Sequence, residues 1–193
     1  MPRRSKPTTR WNVTVRVGAK LAGLMLALVL TPLSLASPLD DRDTFVAGYR
    51  CDVAQRLAQI KAHAEGPDRF LVLELPSRLN HYVQCIFIDH DHSMLCEASS
   101  GFYAQKPGQP RRMRLSRPAL EALRQLGFST ADGEGNFQRT IGAEGRDDLA
   151  AIAELMLAAL YEGYGARPGM QIRVVAPFAK QGNLQTAMCA PVS

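Results

Sequence analysis

The chain has 193 residues, 46% of them hydrophobic, and a formal net charge of +5, which is enough for one domain with a substantial core and little room for a second. The basicity is concentrated, because six of the 23 Lys and Arg residues (Arg3, Arg4, Lys6, Arg10, Arg16, Lys20) precede Leu21 and no acidic residue does. The remainder carries 17 basic against 18 acidic residues, a near-neutral balance that gives no support for a nucleic-acid-binding surface.

After that basic stretch, Leu21 to Ala36 is an apolar run ending in Ser34-Leu35-Ala36, the small-x-small pattern of a signal peptidase site. Residues 1–36 therefore read as a secretory signal cleaved near Ala36, and the mature chain as periplasmic or secreted, touching the membrane only during export. The run is interrupted by Pro32 and is short for a span of about 20 apolar residues. An uncleaved anchor is the alternative. Arg3-Arg4 lies too far from the run to read well as a twin-arginine signal. No cysteine stands between the run and Cys51, which disfavours a lipid anchor at the cleavage point.

Residues 37–42 read as a flexible leader. From Asp43 the pattern becomes helical, with Phe45, Val46, Tyr49, Val53, Leu57 and Ile60 recurring at steps of three and four up to about Ala64, before Gly66-Pro67. Arg69 to Leu75 reads as a first strand closed by Pro76. His81 to Ser100 then reads as a β-hairpin, with arms Tyr82 to Ile88 and Ser93 to Glu97 and a polar tip of Asp89, His90, Asp91 and His92. In that hairpin Phe87 faces Met94, Cys85 faces Cys96 and Val83 faces Ala98, all on one apolar face. The opposite face carries Tyr82, Gln84, Ile86 and Ile88 against Ser99, Glu97, Leu95 and Ser93, a mixture suited to a partly solvated surface. Phe102 to Ala104 extends the third strand, and residues 106–112 form a basic loop with two prolines and a glycine. Ser116 caps a short helix from Arg117 to Leu126, with Pro118 in its first turn and Gly127 after its end. Asn136 to Ile141 reads as a strand. The clearest helix follows, with Asp147 and Asp148 in its first turn and Leu149, Ile152, Ala153, Met156, Leu160 and Tyr164 as its stripe. Met170 to Ala176 is the last strand, and residues 177–193 read as a loose tail.

All four cysteines lie beyond residue 36, in keeping with an oxidising compartment. Hairpin register pairs Cys85 with Cys96. Cys51 with Cys189 follows by elimination, and free buried thiols are the alternative for those two. At the tip, Asp89, His90, Asp91 and His92 alternate carboxylates and imidazoles that could ligate zinc, copper or nickel, although a two-histidine tip needs ligands from elsewhere. Ser77 and Ser99-Ser100-Gly101 sit in no recognisable nucleophile turn. Glu74 and Glu97 could approach each other on neighbouring strands as a carboxylate pair.

The element order is α-β-β-β-α-β-α-β, a single α+β domain over residues 43–176 with a central antiparallel sheet covered by helices. That order resembles the type III secretion chaperone-like fold, in particular the TY-Chap domains related to YbjN-like proteins. The segments that carry the likeness are HYVQCIF, LCEASSGFYA, ALEALRQLGF, GNFQRTI and LAAIAELMLAALYEGYGARPGMQI. Within them, Tyr82-Val83-Gln84, Glu97, Leu126-Gly127-Phe128, Asn136-Phe137, Tyr164-Gly165 and Pro168 match the pattern. The likeness runs from Tyr49 to Val174. It implies a non-enzymatic, chaperone-like or adaptor module without a cofactor that binds a protein partner, with a homodimer as one state. Phe128 stands where such domains often carry tryptophan, and an export signal departs from a cytoplasmic chaperone. A metal-binding hairpin tip and a small envelope hydrolase are the competing functions.

Overall fold

A computed structural model of the chain describes residues 38–64, 66–104, 114–130, 135–177 and 182–186. Ten helices and strands form it: α1 (Pro38–His63), β1 (Phe70–Glu74), β2 (Tyr82–Ile88), β3 (Ser93–Ala98), α2 (Arg117–Gln125), β4 (Ser129–Thr130), β5 (Phe137–Gly142), α3 (Arg146–Tyr164), β6 (Arg173–Val175) and β7 (Gly182–Asn183). The strands make one sheet in the order β4-β5-β3-β2-β1-β6-β7, and every pairing is antiparallel. No helix among the described residues is long and apolar enough to cross a membrane.

The hairpin adopts the expected register, with Val83 opposite Ala98, Cys85 opposite Cys96 and Phe87 opposite Met94. All six are buried, together with Leu71 and Leu73 of β1. The reason is visible in α1 and α3, whose stripes lie against this face. Phe45, Val53, Leu57 and Ile60 of α1, and Ile152, Met156 and Leu160 of α3, share one core with the inward side chains of the sheet. α3 is buried over most of its circumference, because it is covered by the sheet on one side and by α1 and α2 on the others. Gly163 permits the α2 contact. A Cβ there would lie 2.9 Å from Leu123 Cδ2.

Main-chain polarity explains how the two facing cysteines can bond. Ser99 N–H donates to Tyr82 C=O, and Phe87 N–H donates to Arg69 C=O. By alternation, Cys85 turns its own peptide groups to β1 while Cys96 turns its groups to β5, which makes them a non-hydrogen-bonded pair, the closer of the two kinds. Their Cα atoms are 4.0 Å apart, and a disulfide joins them.

Helix ends are closed by cations from distant positions. Arg78 Nη1 donates to Tyr164 C=O at the end of α3, at 2.8 Å, and the Arg139 guanidinium donates to Leu126 C=O at the end of α2. Both satisfy terminal carbonyls that no helical N–H can reach.

Several boundaries expected from sequence need correction. α1 starts at Pro38, so most of the expected leader 37–42 is helical. Phe102 to Ala104 is a 3-10 turn and does not extend β3. Residues 182–186, within the tail expected over 177–193, are ordered. β7 pairs with β6, Leu184 is buried in the core, and Gln185 N–H donates to Asp52 Oδ2 of α1 at 3.0 Å. Cys51, beside Asp52, is disulfide-bonded. Cys189, the partner expected for it, lies outside the described residues, as does the segment 1–36.

Candidate functional site: the open sheet face

Side chains alternate across a strand, so the residues between the buried ones define a second face. It comprises Phe70, Val72 and Glu74 of β1, Tyr82, Gln84, Ile86 and Ile88 of β2, Ser93, Leu95 and Glu97 of β3, Gln138 and Thr140 of β5, and Arg173 and Val175 of β6. The packed helices lie on the other side, and among the described residues no helix or strand packs over this face. Its side chains are part-exposed to exposed, with Ile86 at 36%.

Six aliphatic or aromatic side chains (Phe70, Val72, Ile86, Ile88, Leu95, Val175) form its centre and its β1 flank. Polar residues are tied to one another across it. Glu74 bonds the Arg173 guanidinium on the neighbouring strand. Glu97 accepts from Gln84 Nε2 at 2.5 Å and Gln138 Nε2 at 2.9 Å. At one end, Tyr82 Oη accepts from Asn136 Nδ2 at 3.1 Å, and Asn136 Oδ1 accepts from Ser100 N–H. Beside this polar end Phe102 and Tyr103 stack edge to face, 5.1 Å between ring centres, with Tyr103 largely exposed. An edge adjoins the face on the β5 side. β4 pairs only with Phe137 and Gln138, and Ser129 Oγ donates to Gln138 C=O, so by alternation Thr140 and Gly142 turn main-chain groups outward past β4.

The hairpin tip is built differently from a ligand cage. Asp89, His90 and Asp91 all have positive φ, at 50°, 51° and 72°, a tight left-handed turn after which Asp91 and His92 go to separate partners. Asp91 Oδ2 meets Arg69 Nη2 at 2.5 Å, and His92 Nδ1 meets Glu144 Oε1 at 3.3 Å. Among the described residues no group of three His, Cys, Asp or Glu side chains is placed to hold a metal ion.

Nor does the structure assemble the carboxylate pair. β2 lies between β1 and β3, and Glu74 is opposite Tyr82 while Glu97 is opposite Gln84, which separates them by two strand spacings and two residues, about 12 Å. Ser99 is buried, and its main-chain oxygen accepts from Tyr164 Oη at 2.7 Å. Burial, and to a lesser degree the nearby Tyr82, raise the Tyr164 hydroxyl well above its ordinary range, so this bond is made by a neutral phenol. Ser100 Oγ donates to Gly135 C=O. Neither serine meets a histidine among the described residues. Clefts of about 290 and 310 Å³ lie between the helices, lined by Arg42, Ala122 and Glu162 and by Ala54, Arg146 and Leu149 respectively. Among the described residues, neither lining includes a serine, cysteine or histidine.

A sheet with one face under helices and the other open suits a protein that receives an extended chain. The family model TY-Chap3, described as T3SS (YopN, CesT) and YbjN peptide-binding chaperone 3, matches residues 47–170. The chain belongs to the TY-Chap3 family. That span includes both arms of the hairpin, α2, β5 and α3, and ends before β6. No curated protein and no solved structure matches the chain. In this TY-Chap3 domain, sequence reasoning had already placed Gln84 opposite Glu97 on the second face. It missed Gln138, because nothing in the residues 137–142 says that β5 lies beside β3. Alternation of Phe137, Arg139 and Ile141 with Gln138 and Thr140 was the available signal.

Proposed function

We propose that this TY-Chap3 protein is a non-enzymatic chaperone or adaptor of the bacterial cell envelope, which holds an extended segment of a client protein on the open face of its sheet. The observation that carries the reading is the row of Phe70, Ile86 and Leu95, directly opposite one another on three adjacent strands and part-exposed to exposed, beside a covered opposite face. Apolar side chains grouped on three adjacent strands and rimmed by polar groups fit a protein-binding surface. The peptide-binding description of the family supports the class of client. An extended peptide lying across this face would set alternate side chains among these residues.

The envelope location rests on the N-terminal basic and apolar segments and on the disulfides, which persist in oxidising compartments. N-terminal sequencing of protein recovered from the periplasm should begin at Ser37. Recovery only from the cytosol with Met1 retained contradicts the location.

The binding surface is tested with the double variant Ile86→Asp, Leu95→Asp. Both side chains are outside the core, so folding is retained, as circular dichroism would show. Suppression of client aggregation and binding of apolar extended peptides should fall at least tenfold. Unchanged binding by a folded double variant would remove the sheet face from the account.

A further inference from the structure

We infer that Glu97 makes the open face selective for client segments that carry arginine or lysine. This inference rests on the reading of that face as the client-binding surface and adds what it recognises.

The three residues Gln84, Glu97 and Gln138 lie side by side on β2, β3 and β5. A carboxylate can only accept hydrogen bonds, so both neighbouring amides must turn their NH2 groups toward it. That is the arrangement found, at 2.5 Å and 2.9 Å. The consequence falls on the other ends of the amides. Each Oε1 is left as an acceptor without a partner among the described residues, as are the remaining lone pairs of Glu97. Three strands thus present a line of acceptors centred on one carboxylate, with only the second N–H of each amide as a donor.

Charge sharpens the point. Two other acidic groups have cations beside them: Glu74 bonds Arg173, and Asp91 bonds Arg69. Glu97 has no ion-pair partner among the described residues. It sits beside Leu95 and Ile86, in a surface where apolar neighbours reduce its access to water, so a cation from outside gains more there than at an ordinary exposed carboxylate. Arginine is the better match, since its planar guanidinium carries five N–H donors and can meet a carboxylate and a flanking amide oxygen together. In an extended segment, side chains two residues away point to the same side. For a segment lying along β3, an arginine lowered onto Glu97 therefore brings one of its i±2 neighbours over Leu95 and Ile86 and the other toward Tyr82. The occupant is an extended segment with arginine or lysine flanked at alternate positions by apolar residues.

The alternative is that the row is a cross-strand hydrogen-bond ladder that only steadies the sheet. Stability and preference separate the two. Short fluorescent peptides of alternating valine and threonine, with the central valine replaced by arginine, norleucine or glutamate, are titrated against the purified protein, Glu97→Gln and Glu97→Lys, with thermal melts of each. The expected result is a preference of about threefold to tenfold for the arginine peptide over the norleucine peptide. Glu97→Gln should abolish that preference while keeping norleucine binding, and Glu97→Lys should transfer it to the glutamate peptide. Equal binding of all three peptides, lost in Ile86→Asp, Leu95→Asp, would overturn the selectivity and leave the binding face standing. A Glu97→Gln variant that melts lower yet retains the arginine preference would assign the row to the ladder alone. Peptide binding that survives Ile86→Asp, Leu95→Asp would overturn both.

Discussion

Replacing both cysteines of the hairpin, Cys85→Ala with Cys96→Ala, removes the link that closes the two central strands, and its cost can be worked out from their positions. The bonded residues are 11 apart in sequence, and a loop of that length gives about 3 kcal/mol on the chain-entropy scale. Both cysteines are fully buried under the helices, so deleting two sulfur atoms adds roughly 1 to 2 kcal/mol of lost packing. The sum of about 4 kcal/mol, with a urea dependence of about 2 kcal/mol per molar, lowers the unfolding midpoint by about 2 M. Urea titration followed by circular dichroism reads it directly, on protein in which Cys51 keeps its own disulfide. A second reading comes from the buried position. Dithiothreitol cannot reach the sulfurs of the folded protein, so reduction of this bond should follow the rate at which the sheet opens and accelerate with urea. A midpoint unchanged in the double variant, or reduction in the folded state as fast as in urea-unfolded protein, would refute the placement of this pair at the centre of the core.

Two other substitutions probe the contacts that hold the sheet ends to α3. Tyr164→Phe removes the hydroxyl that bonds Ser99 C=O and should cost about 1 kcal/mol. Because Tyr164 is held protonated well above its ordinary value of about 10, the unfolded chain loses this proton first as pH rises. Stability is full below pH about 10 and falls above it, and the decline should be shallower in Tyr164→Phe, as chemical denaturation at pH 9 and 11 would show. Gly165 ends α3 with φ +70°, and a Cβ there would lie 3.1 Å from Arg78 Nη1. Gly165→Ala should lose about 1 to 2 kcal/mol through left-handed strain and displacement of the arginine that caps Tyr164 C=O; an unchanged melting temperature would contradict that role.

What the sequence disclosed was local. A hairpin fixes its own register, so the facing of Cys85 and Cys96 and the identity of both faces followed from the spacing of one 20-residue stretch. The stripes of α1 and α3 were equally plain, since Val53, Leu57, Ile152 and Met156 recur at helical steps. Relations between distant segments were not. That β5 lies beside β3, placing Gln138 against Glu97, is decided by the packing of α2 and α3, which no short-range pattern encodes. β4 and β7 are two residues long, too short for any alternation, and Gly182-Asn183 is a strand only because β6 offers it an edge. Leu184 falls in the segment that reads as a loose tail, yet it is buried, next to Gln185, whose N–H bonds Asp52, 133 residues earlier. The acidic and histidine-rich tip attracted attention through its composition, yet its left-handed turn disperses Asp91 and His92 to Arg69 and Glu144.

The most direct measurement places a benzophenone photo-crosslinker at Ile86, on the open face, and in a separate sample at Ala151, on the exposed side of α3. Each is irradiated with an extended apolar peptide bearing a central arginine. The sheet-face account predicts crosslinking from Ile86, competed away by unlabelled peptide, and none from Ala151. Crosslinking from Ala151 alone, or equal labelling at both sites that excess peptide does not displace, would contradict it.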